Sequence, residues 1–167
     1  MQNKKFRKYD DKKLGWLRSG KEFAVILIAV FLIFRFVIGF SWVSGKSMYP
    51  TLKDGQPVVY NRMVKDYHRG DVISIRMPSG EYMVKRIIAV AGDTVDLHDG
   101  VVYINGEPEY GEWLYGVTEP QSVTVSYPLT LEEGHIFVLG DNREVSIDSR
   151  TYGPMAATQT RGKLLGF

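Results

Sequence analysis

The feature that most constrains this chain is a long apolar run near its N-terminus. Residues 23–34 read FAVILIAVFLIF, and mostly apolar residues continue after Arg35 as far as Val43. As a helix, residues 23–43 would be about 30 Å long, which matches the hydrocarbon core of a bilayer. The run has no polar face, which argues against a buried core helix and against a helix lying in the interface plane. The sequence therefore predicts a transmembrane helix over residues 23–43.

Charges around this run predict its direction. Residues 1–22 carry an excess of lysine and arginine, and such short flanks stay in the cytoplasm. Arg35 would lie about 12 Å from the outer end, so its side chain can extend to the headgroups. A cleaved signal peptide is the alternative, but the run is long for one and no Ala-x-Ala site follows it. We expect a cytoplasmic basic tail (1–22), a cell-membrane anchor (23–43) and an extracytoplasmic domain (44–167).

Composition excludes several classes of function. The 167 residues carry a net charge of +2, so a general affinity for nucleic acid is not indicated. The chain has no cysteine, so neither a disulfide nor a thiolate metal site can form. It also contains no HExxH motif and no clustered metal ligands. We therefore expect a protein that uses no metal and no other cofactor.

Beyond residue 44 the apolar pattern changes to a period of two, which is typical of strands. The predicted strands are QPVVY (56–60), DVISIRM (71–77), EYMVKRIIAV (81–90), the hairpin partners TVDL and VVYI around residues 98–100, SVTVSY (122–127) and HIFVLG (135–140). Residues 105–121 are rich in Gly, Pro, Glu and aromatics and interrupt this pattern. The sequence predicts a mainly β protein: a coiled antiparallel or barrel-like sheet with an inserted excursion around residues 100–130, preceded by one transmembrane helix.

A serine directly follows the apolar run. The stretch SGKSMYPTL contains Ser47, and a serine becomes a nucleophile only when a base takes its proton. The available histidines are His68, His98 and His135. Each is expected in a turn or at a strand end, so a Ser-His-Asp triad is not favoured.

A buried lysine is the alternative base. Losing a proton near neutral pH requires a lysine pKa about three units below its usual value of about 10.4, and apolar burial can produce this shift. Lys85 lies within the apolar strand YMVKRIIAV. Its neighbour Arg86 alternates to the opposite face, and arginine cannot lose its proton. Lys85 is therefore the candidate base, with an exposed edge-strand lysine as the alternative interpretation.

A third segment, GDNREVSIDSRTYG (140–153), concentrates polar side chains after a predicted buried strand. Asp148 and Arg150 could form an ion pair there, and a serine hydroxyl could hold the lysine amine. A solvated turn with Asx caps is the alternative.

Together, these three segments resemble the successive boxes of bacterial type I signal peptidases of the Gram-positive type, peptidase family S26. Their order and spacing match, and so does the preceding apolar run. The resemblance covers nearly all of residues 23–167 and is weakest over 105–130. It implies a Ser/Lys dyad in which Ser47 is the nucleophile and Lys85 the general base.

The resemblance also implies supporting roles. Ser146 would orient the lysine amine, and Asp148 and Arg150 would brace the site. The floor of the site would be shaped by Gly140, Asp141 and Asn142. The backbone N–H of Ser47 would donate to the oxyanion. Gram-negative-type members have a serine as second donor two residues before the nucleophile, whereas this chain has Gly45 there, as Gram-positive relatives do.

The implied function is a membrane-bound serine endopeptidase in contact with lipid. It would remove signal peptides from secretory precursors after small residues, at the outer face of the membrane. An accessory factor for pilus or surface-protein assembly, without essential catalysis, is an alternative on the same scaffold. An adhesive domain using Arg69-Gly70-Asp71 is a further alternative. A self-cleaving repressor would need a DNA-binding domain where the apolar run lies.

Overall fold

The computed structural model describes residues 20–167. Residues 20–32 are helical and continue into a π-helical turn, Ile33–Val37. The large apolar side chains of this segment are exposed, with Phe23 at 62% and Phe31 at 64%. Within the described part of the chain, no helix combines the length and the apolar character needed to cross a membrane. Most of the predicted basic tail lies outside the described residues.

The predicted helix is wrong at its C-terminal end, because Ile38–Trp42 form strand β1. Its Ile, Phe and Trp are residues that favour strands. Gly39 in this strand lies against the ring of Tyr60, where a Cβ would come within 2.1 Å of a ring carbon. The boundary between the two compact units of the chain falls between Ile38 and Gly39, earlier than the predicted boundary after Val43.

Two sheets form the unit that begins at Gly39. The other strands are β2 (Pro57–Asn61), β3 (Val72–Arg76), β4 (Tyr82–Val90), β5 (Thr94–His98), β6 (Val101–Ile104), β7 (Glu107–Pro108), β8 (Leu129–Thr130), β9 (His135–Leu139), β10 (Met155–Ala156) and β11 (Thr160–Leu164). The larger sheet has the order β1-β2-β11-β3-β4-β9-β10, and the smaller sheet has the order β7-β6-β5-β8. The strand pairs with an assigned register are antiparallel. The prediction of a mainly β, antiparallel fold is confirmed.

The register explains the curvature of the larger sheet. It shifts between Ile87 and Ala89 in β4 and between Thr160 and Gly162 in β11. Such bulges bend a strand and increase its twist. The predicted hairpin joins β5 to β6, and both of its turn residues, Asp99 and Gly100, have positive φ, as a two-residue hairpin turn requires.

Two parts of the fold differ from the sequence-based expectation. Residues 122–127 are not a strand: Val123 is fully exposed, and the Thr124 N–H donates to Ser122 Oγ. Tyr127 at the end of this segment packs against a buried cluster, but none of residues 122–127 is fully buried, so the alternation does not give the segment a buried face. Conversely, β11 was not predicted, although it lies between β2 and β3 in the sheet. Its sequence, TRGKL, hides the alternation because two long cations occupy the half-buried positions.

The buried apolar side chains hold the site-bearing segments in place. Met48 and Leu52, which follow Ser47 in sequence, are buried in an apolar cluster against which Val84 of β4 packs. A second cluster includes Ile87 of β4 and Val138 of β9. The turn after β1 and strands β4 and β9 are therefore fixed relative to one another.

Candidate active site

Ser47 lies in the turn that follows β1. This turn is closed by the Leu52 N–H donating to the Met48 carbonyl at 2.8 Å. Gly45 has φ +86°, and its N–H donates to Asp54 Oδ1 at 2.8 Å. Ser47 is half-buried, and within residues 20–167 neither its hydroxyl nor its N–H has a hydrogen-bond partner. Both groups are therefore free to interact with a substrate.

Lys85 lies on β4 with its amine withdrawn from water. The residue is 1% exposed, and its Nζ donates to Ser146 Oγ at 3.0 Å. Burial lowers the pKa of Lys85 from 10.5 to about 8, and the positive charge of Arg150 also lowers it, whereas Asp148 and Asp141 raise it. The ammonium can thus lose its proton only a little above neutral pH.

One cleft of about 810 Å³ contains both candidates. Its lining consists of residues 41–48 and 80–85 together with Ser74, Val145 and Ile147. Ser47 and Lys85 therefore reach the same space from different elements, the turn after β1 and strand β4. His68, His98 and His135 do not line this cleft, which leaves Lys85 as the titratable side chain with a lowered pKa beside the serine.

The turn that carries Ser47, here called the nucleophile turn, contacts the segment 140–150 at Gly140. A Cβ at Gly140 would lie 2.2 Å from Ser146 Oγ and 2.5 Å from the Ser47 carbonyl oxygen. The next contact along the chain is the Asn142 N–H, which donates to the same Ser47 oxygen at 3.0 Å. Only glycine allows the serine turn and the side chain of Ser146 to approach this closely.

Asp148 and Arg150 form a buried pair directly behind Ser146. Arg150 donates from Nε to Asp148 Oδ1 at 2.9 Å and from its NH2 group to Oδ2 at 3.0 Å. Asp148 Oδ2 also accepts from the Gly140 N–H, and Arg150 donates to the Ser146 carbonyl. The pair therefore fixes the backbone at Gly140 and at Ser146, although Gly140, Asp141 and Asn142, the predicted floor, do not line the cleft. The alternative interpretation, a solvated turn with Asx caps, is wrong about solvation because both residues are buried, although Asp148 does cap the short helix Ser149–Tyr152.

Sequence reasoning missed a second ion pair, between Arg86 and Asp141. Arg86 donates from Nε and from NH2 to the two carboxylate oxygens of Asp141, both at 2.8 Å. It also donates to the Gly70 carbonyl, and the Thr51 hydroxyl donates to the same carboxylate. The pair connects residues 55 positions apart, and an arginine inside an apolar strand was the signal that could have indicated it.

The role of the excursion was also missed. Arg143 is buried and donates to Glu109 Oε1 at 2.7 Å and to Thr118 Oγ1 at 2.9 Å. Between these two residues, Tyr115 forms an isolated parallel bridge with Asn142. The excursion is therefore packed against residues 141–143.

Comparisons with known proteins agree with this geometry. Residues 16–165 match the family described as signal peptidase, peptidase S26. The chain belongs to this family. Signal peptidase IB of Staphylococcus aureus strain N315 is 30% identical over 168 residues, which cover 90% of this chain and 86% of the relative. Signal peptidase I T of Bacillus subtilis strain 168 is 34% identical over 145 residues, which cover 81% of this chain and 75% of the relative.

A solved signal peptidase has the same fold. The crystal structure of a signal peptidase I from Enterococcus faecalis V583 matches with a TM-score of 0.51 and 30% identity, covering 60% of this chain and 97% of that one. The curled antiparallel sheet is thus the half-barrel of the signal peptidase I fold. The predicted family and the predicted activity, that of a serine-type endopeptidase of the signal peptidase I type, are confirmed. The roles of individual site residues stay predictions.

Proposed function

We propose that this chain is a membrane-bound signal peptidase I that cleaves signal peptides from secretory precursors with a Ser47/Lys85 dyad. One observation carries the proposal: Lys85 is buried, has a pKa lowered to about 8, and opens onto the cleft that Ser47 also lines. A lysine in this condition can act as a general base, which an exposed lysine cannot do at neutral pH.

The chemistry follows from these two groups. The neutral Lys85 amine takes the Ser47 hydroxyl proton while Ser47 Oγ attacks the scissile carbonyl carbon. The resulting ammonium returns the proton to the leaving amine as the peptide bond breaks, leaving an acyl ester on Ser47. A water molecule, deprotonated by the amine, then hydrolyses this ester and restores the serine. Ser146 supports both steps because its hydroxyl accepts a hydrogen bond from the amine and leaves the nitrogen lone pair free.

The negative oxygen of the tetrahedral intermediate needs donors. The Ser47 N–H has no partner within residues 20–167, which makes it the first donor. Gly45 does not provide the second, since it lacks a side chain and its N–H is already bonded to Asp54. Removing one donor of this kind typically costs about a hundredfold or more in rate.

Substrate selection is expected from the shape of the cleft. An extended segment of the precursor can lie along residues 41–46 and residues 80–84, which both line the cleft. Extended peptides commonly bind by adding to strand edges, with alternate side chains entering pockets. We propose that small residues at positions −3 and −1 of the precursor enter here.

We further propose that residues up to Val37 anchor the enzyme in the cell membrane, with the N-terminus in the cytoplasm and the catalytic unit outside. The exposed apolar side chains of residues 20–37 support lipid contact, and the basic residues that precede them support the orientation. Anchoring enzyme and precursor in one membrane raises their effective concentration.

The test is processing of precursors with an Ala-x-Ala site by the full chain in detergent. We expect Ser47→Ala to abolish processing, while Ser122→Ala, in a turn outside the cleft, leaves it unchanged. Normal processing by Ser47→Ala would overturn the proposal. Including a pilin precursor and a surface-protein precursor defines the substrate range. Surface assembly that survives Ser47→Ala in cells would support the accessory role instead.

A further inference from the structure

Residues 109–118, here called the strap, pack against residues 141–143 and contribute nothing to the cleft lining. Glu109 and Thr118, at the two ends of the strap, both accept hydrogen bonds from Arg143. In the middle, the Tyr115 N–H donates to the Asp141 carbonyl at 2.9 Å, and the Tyr115 carbonyl accepts from the Arg143 N–H at 2.9 Å.

The strap also reaches the second ion pair. The guanidinium of Arg86 lies over the ring of Trp113, with its carbon 4.6 Å from the ring centroid. This distance is within the range of a cation–π interaction, for which tryptophan is the best aromatic partner. The arginine beneath the ring is 5% exposed and Asp141 is fully buried, so the tryptophan covers an ion pair that is almost completely shielded from water.

That ion pair connects directly to the nucleophile turn. Asp141 accepts from the Thr51 hydroxyl, and Thr51 lies four residues after Ser47. Asn142, the next residue after Asp141, donates its N–H to the Ser47 carbonyl. The turn that carries Ser47 is therefore attached at two points, to the side chain of Asp141 and to the backbone of Asn142.

We propose that Trp113 is a positioning residue: its ring holds the Arg86 guanidinium in place and thereby keeps Ser47 fixed relative to Lys85. The inference rests on the proposed Ser47/Lys85 mechanism. Trp113 does not line the cleft, so it acts through Arg86, Asp141 and Thr51. A small displacement of a nucleophile lowers the reaction rate by a large factor. Loosening the contacts among Arg86, Asp141 and Thr51 is therefore expected to lower kcat.

An aromatic ring at position 113 has two effects on the Arg86 guanidinium. A ring face attracts the guanidinium and also excludes water, and ion pairs are stronger where water is excluded. An aliphatic side chain of similar size excludes water but does not attract the cation. Phenylalanine and leucine at position 113 therefore form a matched comparison.

The experiment measures kcat and KM for a peptide with an Ala-x-Ala site, using the full chain in detergent, below the melting temperature of every variant. We expect Trp113→Phe to keep kcat within about twofold and Trp113→Leu to lower it about five- to tenfold, with KM changed less than about twofold in both. Tyr110→Ala is the control, since Tyr110 is an exposed aromatic residue of the same strap. Equal kcat values for the Phe and Leu variants, or a Leu variant equal to the control, would overturn the proposal.

A pH profile gives a second readout that a purely structural loss would not move. The charges acting on the Lys85 amine are those of Asp148, Arg150 and Asp141, and Asp141 raises the pKa of Lys85. A guanidinium that moves away from Asp141 neutralises it less, so the acid limb of kcat/KM shifts to higher pH in Trp113→Leu. An unshifted limb, together with a lowered kcat, would contradict the proposed route through Asp141. Ser47→Ala tests the dyad separately, so failure of the tryptophan proposal leaves the dyad intact.

Discussion

Lys85 and Ser146 form a hydrogen bond of 3.0 Å between side chains that are 1% and 0% exposed. The two residues lie 61 positions apart in the sequence. A neutral amine that donates one hydrogen to this hydroxyl keeps its lone pair for another proton. The relationship therefore sets both the position and the orientation of the proposed base.

Removing the hydroxyl tests this relationship. We expect Ser146→Ala to lower kcat about ten- to a hundredfold, because a buried amine without its partner costs about 1–3 kcal/mol and no longer has a fixed orientation. Ser122→Ala is the matched control in an exposed turn. The measurement is kcat on a signal-peptide substrate, with near-unchanged circular dichroism. Full activity in Ser146→Ala would show that the amine is oriented by other groups.

The pH dependence of activity follows from the pKa of Lys85, which burial lowers to about 8. The amine must be neutral to act as a base, so kcat/KM should rise with pH below that value and level off above it. At pH 7 it should be about a tenth of its maximum, since each unit below the pKa reduces the neutral fraction about tenfold. A profile that is flat from pH 6 to pH 9 would contradict the assignment of Lys85 as the base.

Local patterns were enough to predict the chemical groups of the site. Ser47 follows an apolar run, and Lys85 lies within an apolar strand, so each is visible from its sequence neighbours. The pairing of Arg86 with Asp141 was not visible, because it depends on the register that brings β4 beside β9. The sequence identifies a buried charge more readily than the partner that neutralises it.

The strands also differ in whether the local sequence was enough to predict them. Strands β3 and β4, which are largely buried, were predicted close to their observed bounds. Residues 122–127 alternate more cleanly in sequence, but none of them is fully buried and they form no strand. β11 was missed because its lysine and arginine occupy half-buried positions, where their long stems cover apolar surface. Tertiary contacts, rather than local propensity, decide these segments.

Gly140→Ala tests how closely Ser146 and the Ser47 carbonyl must approach each other around position 140. We expect Gly140→Ala to reduce activity more than a hundredfold and to lower the melting temperature, since the new Cβ would lie 2.2 Å from Ser146 Oγ and 2.5 Å from the Ser47 carbonyl oxygen. One of these neighbours must move, and either movement disturbs the dyad. Gly20→Ala is the control, because a Cβ there meets nothing within 4 Å. Wild-type kcat in Gly140→Ala would mean that the backbone around position 140 adapts without moving Ser47 or Ser146.

Lys85→Met separates catalysis from stability. We expect it to abolish cleavage and to raise the free energy of unfolding at pH 7 by up to about 3 kcal/mol, because the folded protein no longer buries an ammonium whose pKa falls from 10.5 to about 8. Between these two pH values the unfolded wild-type chain binds more protons than the folded chain, so wild-type stability rises with pH. The stability advantage of the methionine variant should therefore shrink from pH 8 to pH 10.5.

The measurement is thermal or urea unfolding across this range, with Lys53→Met, at an exposed position, as the control. A stability difference between the two proteins that stays constant from pH 8 to pH 10.5 would show that the pKa of Lys85 is not lowered in the folded protein, and such a lysine could not serve as the base.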